Sequence, residues 1–307
     1  MSRDFTDRVV IITGAGGGLG RAYAHFLAAR GARIVVNDYG GDVQGVAGDL
    51  AMARSVVEEI QAAGGQAIAN GADVTSPSAG DEIVEQAMAA WGRVDAVINN
   101  AGATRGGVGI AENSAEDLLT SFDIHVAGSV RVTRAAWPHL IASGNGRVVN
   151  TSSDSIWGTP TSNYVTCKAA IVGLTRALAA EAAEVGIAVN TVMPSAWTRM
   201  TGGIPPGDFR DTVEKHFPPE AAAPFVGFLV HPDCPWNGEA FQVGGNRAAR
   251  EFLAVTGGFK ADPARALDSF AENAERVVDA AEWMVPTDML DSVDLVVSDL
   301  EGRARWR

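Results

Sequence analysis

Val9-Val10-Ile11-Ile12-Thr13-Gly14-Ala15-Gly16-Gly17-Gly18-Leu19-Gly20 is the stretch on which the fold turns. Four apolar β-branched residues in succession read as a strand covered on both faces, and the pattern from 18 to 30 reads as a helix. Glycines at 14, 18 and 20 permit the tight turn between them, let a backbone approach a pyrophosphate, and let the helix pack closely on the strand. In that position the turn reads as a dinucleotide site, with Gly14, Gly18, Leu19 and Gly20 as its contact residues.

Outward from this unit the same alternation repeats. Val- and Ile-rich runs at Ile34 to Val36, Gln66 to Ala69, Val94 to Ile98, Val148 to Val149, Ile187 to Val192 and Glu239 to Val243 predict further strands. Helical patterns lie between them near 47 to 63, 79 to 91, 114 to 142 and 162 to 185. Alternating strands and helices build a doubly wound α/β fold, here a Rossmann-type sheet of seven parallel strands. Segments 39 to 46, 194 to 219 and beyond 244 read as irregular, the second because Pro194, Pro205, Pro206, Pro218 and Pro219 are interleaved with glycines. A helix is expected over Ala264 to Met284. The organisation expected is a catalytic domain at 1–245 and a helical extension at 246–307, packed on it or on a partner subunit.

The second strand ends in Val35-Val36-Asn37-Asp38, which puts an acid 18 residues beyond Gly20. There a carboxylate accepts hydrogen bonds from the adenosine ribose hydroxyls and repels a 2′-phosphate. No Lys or Arg occupies 15 to 17 or follows Asp38 directly, so the expected cofactor is NAD and not NADP.

Charge sets limits on partners. With 24 Lys and Arg against 37 Asp and Glu the chain carries −13, a field that repels nucleic-acid backbones and anionic membrane surfaces. No run of 18 uncharged apolar residues is present, so no membrane span is expected. Cys167 and Cys234 belong to no CxxC pair and the five histidines form no HxxxH or HExxH pattern, so neither a disulfide framework nor a metal site is expected. A cytoplasmic location fits these features.

Tyr164 and Lys168 are spaced i, i+4 at the start of a helical pattern and share one face of it. A free phenol titrates near ~10, and a neighbouring ammonium favours its ionised form, so the pair suits proton exchange with an alcohol. Thr151-Ser152-Ser153 at a strand end supplies candidate hydroxyls beside it.

Together these motifs resemble the classical short-chain dehydrogenase/reductase family: Thr13 to Gly20 is similar to its glycine turn, Asp73-Val74 to its adenine-side pair, Asn99-Asn100-Ala101-Gly102 to its NNAG segment, and Tyr164 to Lys168 to its YxxxK. The likeness covers about residues 6 to 245. A narrower similarity, carried by Val36 to Asp42, Thr133 to Trp137 and Ser195 to Met200, is to the (3R)-hydroxyacyl-CoA dehydrogenase units of peroxisomal multifunctional enzymes of type two, the group also called 17β-hydroxysteroid dehydrogenase type four.

The resemblance implies that Tyr164 exchanges the alcohol proton, Ser153 holds the substrate oxygen, and Lys168 holds the nicotinamide ribose. Asp73, Val74, Asn100, Ala101 and Gly102 join Asp38 and the glycines around the cofactor, with Tyr164 and Lys168 also touching it. It implies a (3R)-3-hydroxyacyl-CoA as substrate, with a free hydroxysteroid or a 3-oxoacyl carrier protein as alternatives, and a homo-oligomer, a dimer in first place. A non-catalytic dinucleotide sensor is the reading from another class, which the presence of both Tyr164 and Lys168 disfavours.

Two departures stand out. Ser153 and Ser152 precede Tyr164 by 11 and 12 residues, a loop about two residues shorter than the family's; Thr151, at the usual spacing of 13, and Ser155 stay open as the hydroxyl. His125 occupies the place where most of the family has an Asn that serves a proton relay, and it reads equally as a relay residue or as a core histidine.

Overall fold

The computed structural model describes residues 4–46 and 48–303, so the outermost ends of both expected domains, 1–3 and 304–307, lie outside the described residues. β1 (Val9–Thr13) leads into α1 (Gly18–Ala28), β2 (Arg33–Asn37), α2 (Ala51–Ala62), β3 (Gln66–Asn70), α3 (Ala79–Trp91) and β4 (Ala96–Asn99). Then come α4 (Ala115–Phe122), α5 (Gly128–Ala142), β5 (Arg147–Thr151), α6 (Ser162–Ala182), β6 (Ala188–Pro194), α7 (Asp208–His216), α8 (Ala223–Val230), β7 (Ala240–Gly244) and β8 (Arg247–Glu251).

The strands lie in the order β3-β2-β1-β4-β5-β6-β7-β8, and every pairing from β3 to β7 is parallel. Every residue of β1, β4 and β5 is buried, as a sheet with helices on both faces requires. Alternate residues feed opposite cores. Val10, Ile12, Ile34 and Val36 pack with α1, α2 and α8 on one side, while Val9, Ile11 and Val35 pack with α3 and α5 on the other. The order reverses between β1 and β4, and the crevice at the carboxyl ends of those strands is where such sheets bind ligands.

The sheet has eight strands, not the seven expected. Gly245 and Asn246 both have positive φ (55° and 60°) and join β7 to β8, the backbone a two-residue hairpin turn needs. Arg247-Ala248-Ala249-Arg250-Glu251 carries no apolar alternation because β8 is a largely exposed edge strand. The predicted helix over 114–142 is interrupted by a π-helical turn at Asp123–Ala127. Within the proline-rich segment expected to be irregular, the prolines and glycines bracket a helix: α7 starts after Gly207, has Asp208 and Asp211 in its first turn and Lys215 and His216 in its last, and stops before Pro218.

The chain forms two compact units, one up to Arg250 and one from Glu251. In the second, β9 (Val255–Thr256) pairs antiparallel with β10 (Trp283–Met284); α9 (Ala266–Glu272) and α10 (Ala274–Val277) lie between these strands in the sequence, and α11 (Met289–Leu300) follows them. The single helix expected over 264–284 is therefore absent. Asn273 donates its side-chain amide to the Ser269 carbonyl (2.9 Å), and Asp279 accepts from the Ala281 N–H (3.0 Å); both divert backbone groups a continuous helix needs. Among the described residues no helix is long and apolar enough to cross a membrane.

Candidate active site

The carboxyl ends of the strands open into a cleft of about 1190 Å³ in the first unit. Gly14, Gly18, Leu19, Asp38, Asp73, Val74, Asn100, Ala101, Gly102, Ser153, Tyr164 and Lys168 all line it. Gly20 and His125 do not; each stands behind the wall.

The glycine turn is fixed by its neighbours. Gly14 has φ +64°, and a Cβ there would sit 2.8 Å from the Ala101 Cα, so only glycine lets the two segments meet. Thr13 locks this approach: its Oγ1 accepts the N–H of both Asn100 and Ala101 at 3.0 Å, and the Asn100 amide donates back to the carbonyls of Thr13 and Gly14. Sequence reasoning did not single out Thr13; its place as the last residue of β1 was the available signal. Gly20 packs behind the turn, where a Cβ would strike the Gly14 carbonyl.

Asp38 stands at the end of β2 with both oxygens turned to the turn: Oδ2 accepts from Gly16 N–H and Oδ1 from Gly40 N–H, each at 2.7 Å. Each oxygen keeps further acceptor capacity toward the cleft. Arg199, from the segment after β6, comes to 3.5 Å from a Cβ built on Gly17, and its Nη1 donates to the Met52 sulfur at 3.8 Å. Arg105 and Arg199 line the cleft, whereas the Arg210 guanidinium lies 5.2 Å from the Trp197 ring centroid.

On the opposite wall β5 and α6 bring the hydroxyls, phenol and ammonium together. Lys168 is buried and donates from Nζ to the Thr151 carbonyl at 2.9 Å. Burial pushes its pKa from 10.5 down to about 8. Its ammonium lies 5.5 Å from the centroid of the Tyr164 ring. The Tyr164 phenol is held above its ordinary range by burial, opposed by a hydrogen bond with Ser153 and reinforced by the charge of Asp154.

The four candidate hydroxyls separate. Ser152 is buried and donates to the Lys168 carbonyl at 2.7 Å, so it faces the helix and not the phenol. Thr151 offers its carbonyl to Lys168, and its Oγ1 is buried with no partner; the Ser155 hydroxyl is likewise buried and unpartnered. Ser153 alone of the four shares a hydrogen bond with Tyr164. The shortened loop accommodates this because Ser153 caps a short 3₁₀ turn at Asp154–Trp157, its Oγ accepting from Ser155 N–H at 3.2 Å.

His125 sits in the π-helical turn, 2% exposed, with its ring edge-on to that of Tyr164 at 5.6 Å. Nε2 donates to the Ala103 carbonyl (2.8 Å), which fixes the tautomer and leaves Nδ1 buried without a partner. Burial and then the Lys168 charge press its pKa from 6.5 down to about 3, so the ring is neutral. A carbonyl at one end passes no proton onward.

Beneath the site a polar ladder crosses the sheet. Asn99 donates to Asn150 (2.8 Å), Asn150 to Thr175 (2.9 Å), and Thr191 to Thr175 (2.5 Å), all buried. Sequence reasoning saw Asn99 only as part of a motif, because the pairing of strands that assembles the ladder is not local. A ladder of this kind rigidifies the strand ends that carry the chemistry.

The short chain dehydrogenase model matches residues 8–205. Peroxisomal multifunctional enzyme type 2 of Mus musculus is 43% identical over 242 residues, 78% of this chain and 32% of that protein, so the chain spans about a third of that relative's length. The full-length peroxisomal multifunctional enzyme type 2 of Drosophila melanogaster superposes with a TM-score of 0.80 at 27% identity, over 98% of this chain and 51% of that one. A 7α-hydroxysteroid dehydrogenase complexed with NADH and 7-oxo glycochenodeoxycholic acid superposes with a TM-score of 0.71 at 26% identity, covering 80% of this chain and 97% of that one. The glycine turn closed against Ala101, with unused acceptors on Asp38, fits a nicotinamide dinucleotide, and the matched segment contains every residue just placed around it. By sequence, fold and site, the chain is an oxidoreductase and belongs to the short-chain dehydrogenase family.

Proposed function

We propose that the protein is an NAD-dependent dehydrogenase that interconverts a (3R)-3-hydroxyacyl-CoA and its 3-oxoacyl-CoA. The observation that carries this reading is the grouping of Ser153, Tyr164 and Lys168 on one wall of a cleft whose other wall holds Asp38 and the glycine turn. Gly14, Gly18, Leu19 and Gly20 shape the bed for the pyrophosphate, Asp38 receives the adenosine ribose, Asp73 and Val74 flank the adenine, and Asn100, Ala101 and Gly102 form the floor. When bound, the nicotinamide supplies the carbon that accepts or returns a hydride.

Ser153 donates to the substrate oxygen and orients it toward Tyr164, whose Oη takes the hydroxyl proton in oxidation and returns it in reduction. Lys168, anchored on Thr151, directs its remaining N–H groups to the nicotinamide ribose, and its positive charge favours the phenolate. His125 supports the Tyr164 ring edge-on as a neutral group.

Asp38 supports NAD over NADP because a 2′-phosphate would meet a carboxylate. The acyl-CoA part of the reading rests on the likeness to the multifunctional enzymes, and the likeness to a hydroxysteroid dehydrogenase supports a free hydroxysteroid as second choice. A homodimer and a cytosolic location belong to the same reading, and sedimentation and cell fractionation test them.

The experiment is formation of reduced nicotinamide from a (3R)-3-hydroxyacyl-CoA with NAD or NADP offered in parallel. Turnover with NAD that falls by about 10²–10⁴ in Tyr164→Phe, with NAD binding retained, supports the reading. No turnover of the acyl-CoA, together with turnover of a free hydroxysteroid, moves the assignment to the second choice.

A further inference from the structure

Asp154 follows Ser153 directly and lines the same cleft, yet the family motifs give it no role in the site described above. Its carboxylate is tied away from its own segment. Oδ2 accepts from the Ser195 hydroxyl at 2.8 Å, just beyond β6, and from the Gln242 amide at 3.4 Å, in β7. Gln242 is itself held by Arg247 of β8, whose Nη1 donates to Oε1 at 3.1 Å. The other oxygen, Oδ1, is buried without a partner. A carboxylate thus ties β6 and β7 directly, and β8 through Gln242, to the 3₁₀ turn capped by Ser153, in the loop about two residues shorter than the family's spacing.

We propose that Asp154 is a positioning residue of the active centre: anchored on Ser195 and Gln242, it holds the Ser153 hydroxyl against Tyr164 and sets a fixed negative charge beside the phenol. The inference rests on the assignment of Tyr164 and Ser153 above.

The anchor acts on geometry. Ser153 is placed by the backbone of a turn whose next residue is pinned to β6 and β7, so releasing the pin frees the hydroxyl by the small distances to which proton transfer is sensitive. The charge acts on protonation. The groups facing the Tyr164 ring are Lys168 on its own helix, His125 on the π-helical turn, Ser153 and Asp154 on the 3₁₀ turn, and Met200, whose sulfur is 4.0 Å from the phenol oxygen. His125 is neutral, so Lys168 and Asp154 are the two charges, of opposite sign. A negative charge there stabilises the protonated phenol and keeps Tyr164 ready to donate, the form that ketone reduction consumes.

The test uses protein labelled at tyrosine Cζ with ¹³C. The chain has three tyrosines, and Tyr164→Phe identifies the resonance of interest. Asp154→Asn keeps an oxygen that accepts from Ser195 and Gln242 and removes the charge; Asp154→Ala removes both; Ser195→Ala weakens the anchor alone. In Asp154→Asn the Tyr164 resonance is expected to titrate at lower pH than in the unsubstituted protein, and the acid limb of kcat/KM for alcohol oxidation to move the same way. Asp154→Ala is expected to lose turnover on the order of 10- to 100-fold at the pH optimum, with Ser195→Ala losing less and keeping the original titration.

A Tyr164 resonance with the same pH dependence in Asp154→Asn and in the unsubstituted protein overturns the proposal and leaves Asp154 as a loop brace. The titration needs no substrate, so this outcome is separate from a failure of the proposed reaction, which Tyr164→Phe with undiminished turnover would reveal.

Discussion

At the amino end of β4, Asp95 is fully buried and both its oxygens are engaged: Oδ2 accepts from Val9 N–H (2.8 Å) and Arg93 Nε (2.9 Å), and Oδ1 from Arg93 Nη2 (2.6 Å). At the carboxyl ends of the same sheet, Asn99 Oδ1, Thr151 Oγ1, Asp154 Oδ1 and, behind them, His125 Nδ1 are buried with no partner. Asp95 itself is saturated, and although the neighbouring Arg8 Nε is buried without a partner, the open valences gather at the carboxyl ends. Native proteins leave few buried polar groups unpaired, because each costs about 1–3 kcal/mol. Of the four, Thr151 and Asp154 line the cleft while Asn99 and His125 stand behind it, so the contrast sets a well-paired end that holds the fold against an end whose polar groups surround the site.

The open end should make the protein sensitive to acid. The His125 pKa is near 6.5 in the unfolded chain and about 3 in the folded one, so between those values the unfolded state binds more protons. Stability attributable to this residue is therefore complete well above pH 6.5 and lost as pH falls toward 3, on the order of 5 kcal/mol in total. Carboxylates contribute in the same direction, so the check is a difference. Urea unfolding of the unsubstituted protein and of His125→Asn between pH 7 and pH 4 should show the steeper fall in the former. Equal slopes would mean that Nδ1 finds a partner on protonation.

The Asp95 end should respond to truncation instead. Asp95→Ala strands the Val9 N–H and leaves Arg93 and Arg8 without their shared carboxylate, at an expected cost of about 3–5 kcal/mol in unfolding free energy. The folded fraction should bind NAD as before, since the site lies at the other end of the strands. A weakened NAD affinity that tracks the lost stability would show that the two ends are coupled.

Asp38 belongs to the open end although both its oxygens already accept N–H groups. Asp38→Asn keeps the shape and removes the charge. NAD affinity is expected to fall by roughly 10-fold, the equivalent of one charged hydrogen bond, while the preference for NAD over NADP narrows. Calorimetric titration with both dinucleotides checks this, and an unchanged preference would shift the discrimination to another residue of the cleft.

How much of this was readable in the sequence follows from the range of the forces involved. The β1 to α1 turn was legible because its strand, glycines and helix are contiguous, and Tyr164 and Lys168 because four residues on a helix share a face. The sequence could not choose among Thr151, Ser152, Ser153 and Ser155, since that choice depends on which hydroxyl points at α6 and which at the phenol. Asp154 stayed hidden because its partners, Ser195 and Gln242, are 41 and 88 residues away. β8 was missed because an exposed edge strand needs no apolar pattern, and the broken helix of 264–284 because Asn273 and Asp279 capture backbone groups that composition alone leaves helical.

The finest test of the contrast compares two threonines. Thr151 Oγ1 is buried and unpaired, whereas Thr175 Oγ1 accepts from both Asn150 and Thr191. Replacing Thr151 by Val removes a hydroxyl that contributes no hydrogen bond and substitutes a methyl of similar volume, so the change in unfolding free energy should stay within about 0.5 kcal/mol. Thr175→Val instead orphans two buried donors and should cost about 1–3 kcal/mol. Chemical denaturation of the two variants measures the gap between them. If Thr151→Val proves as costly as Thr175→Val, then the Thr151 hydroxyl is satisfied by an ordered water, and the open valences at this end of the sheet are fewer than the side chains alone indicate.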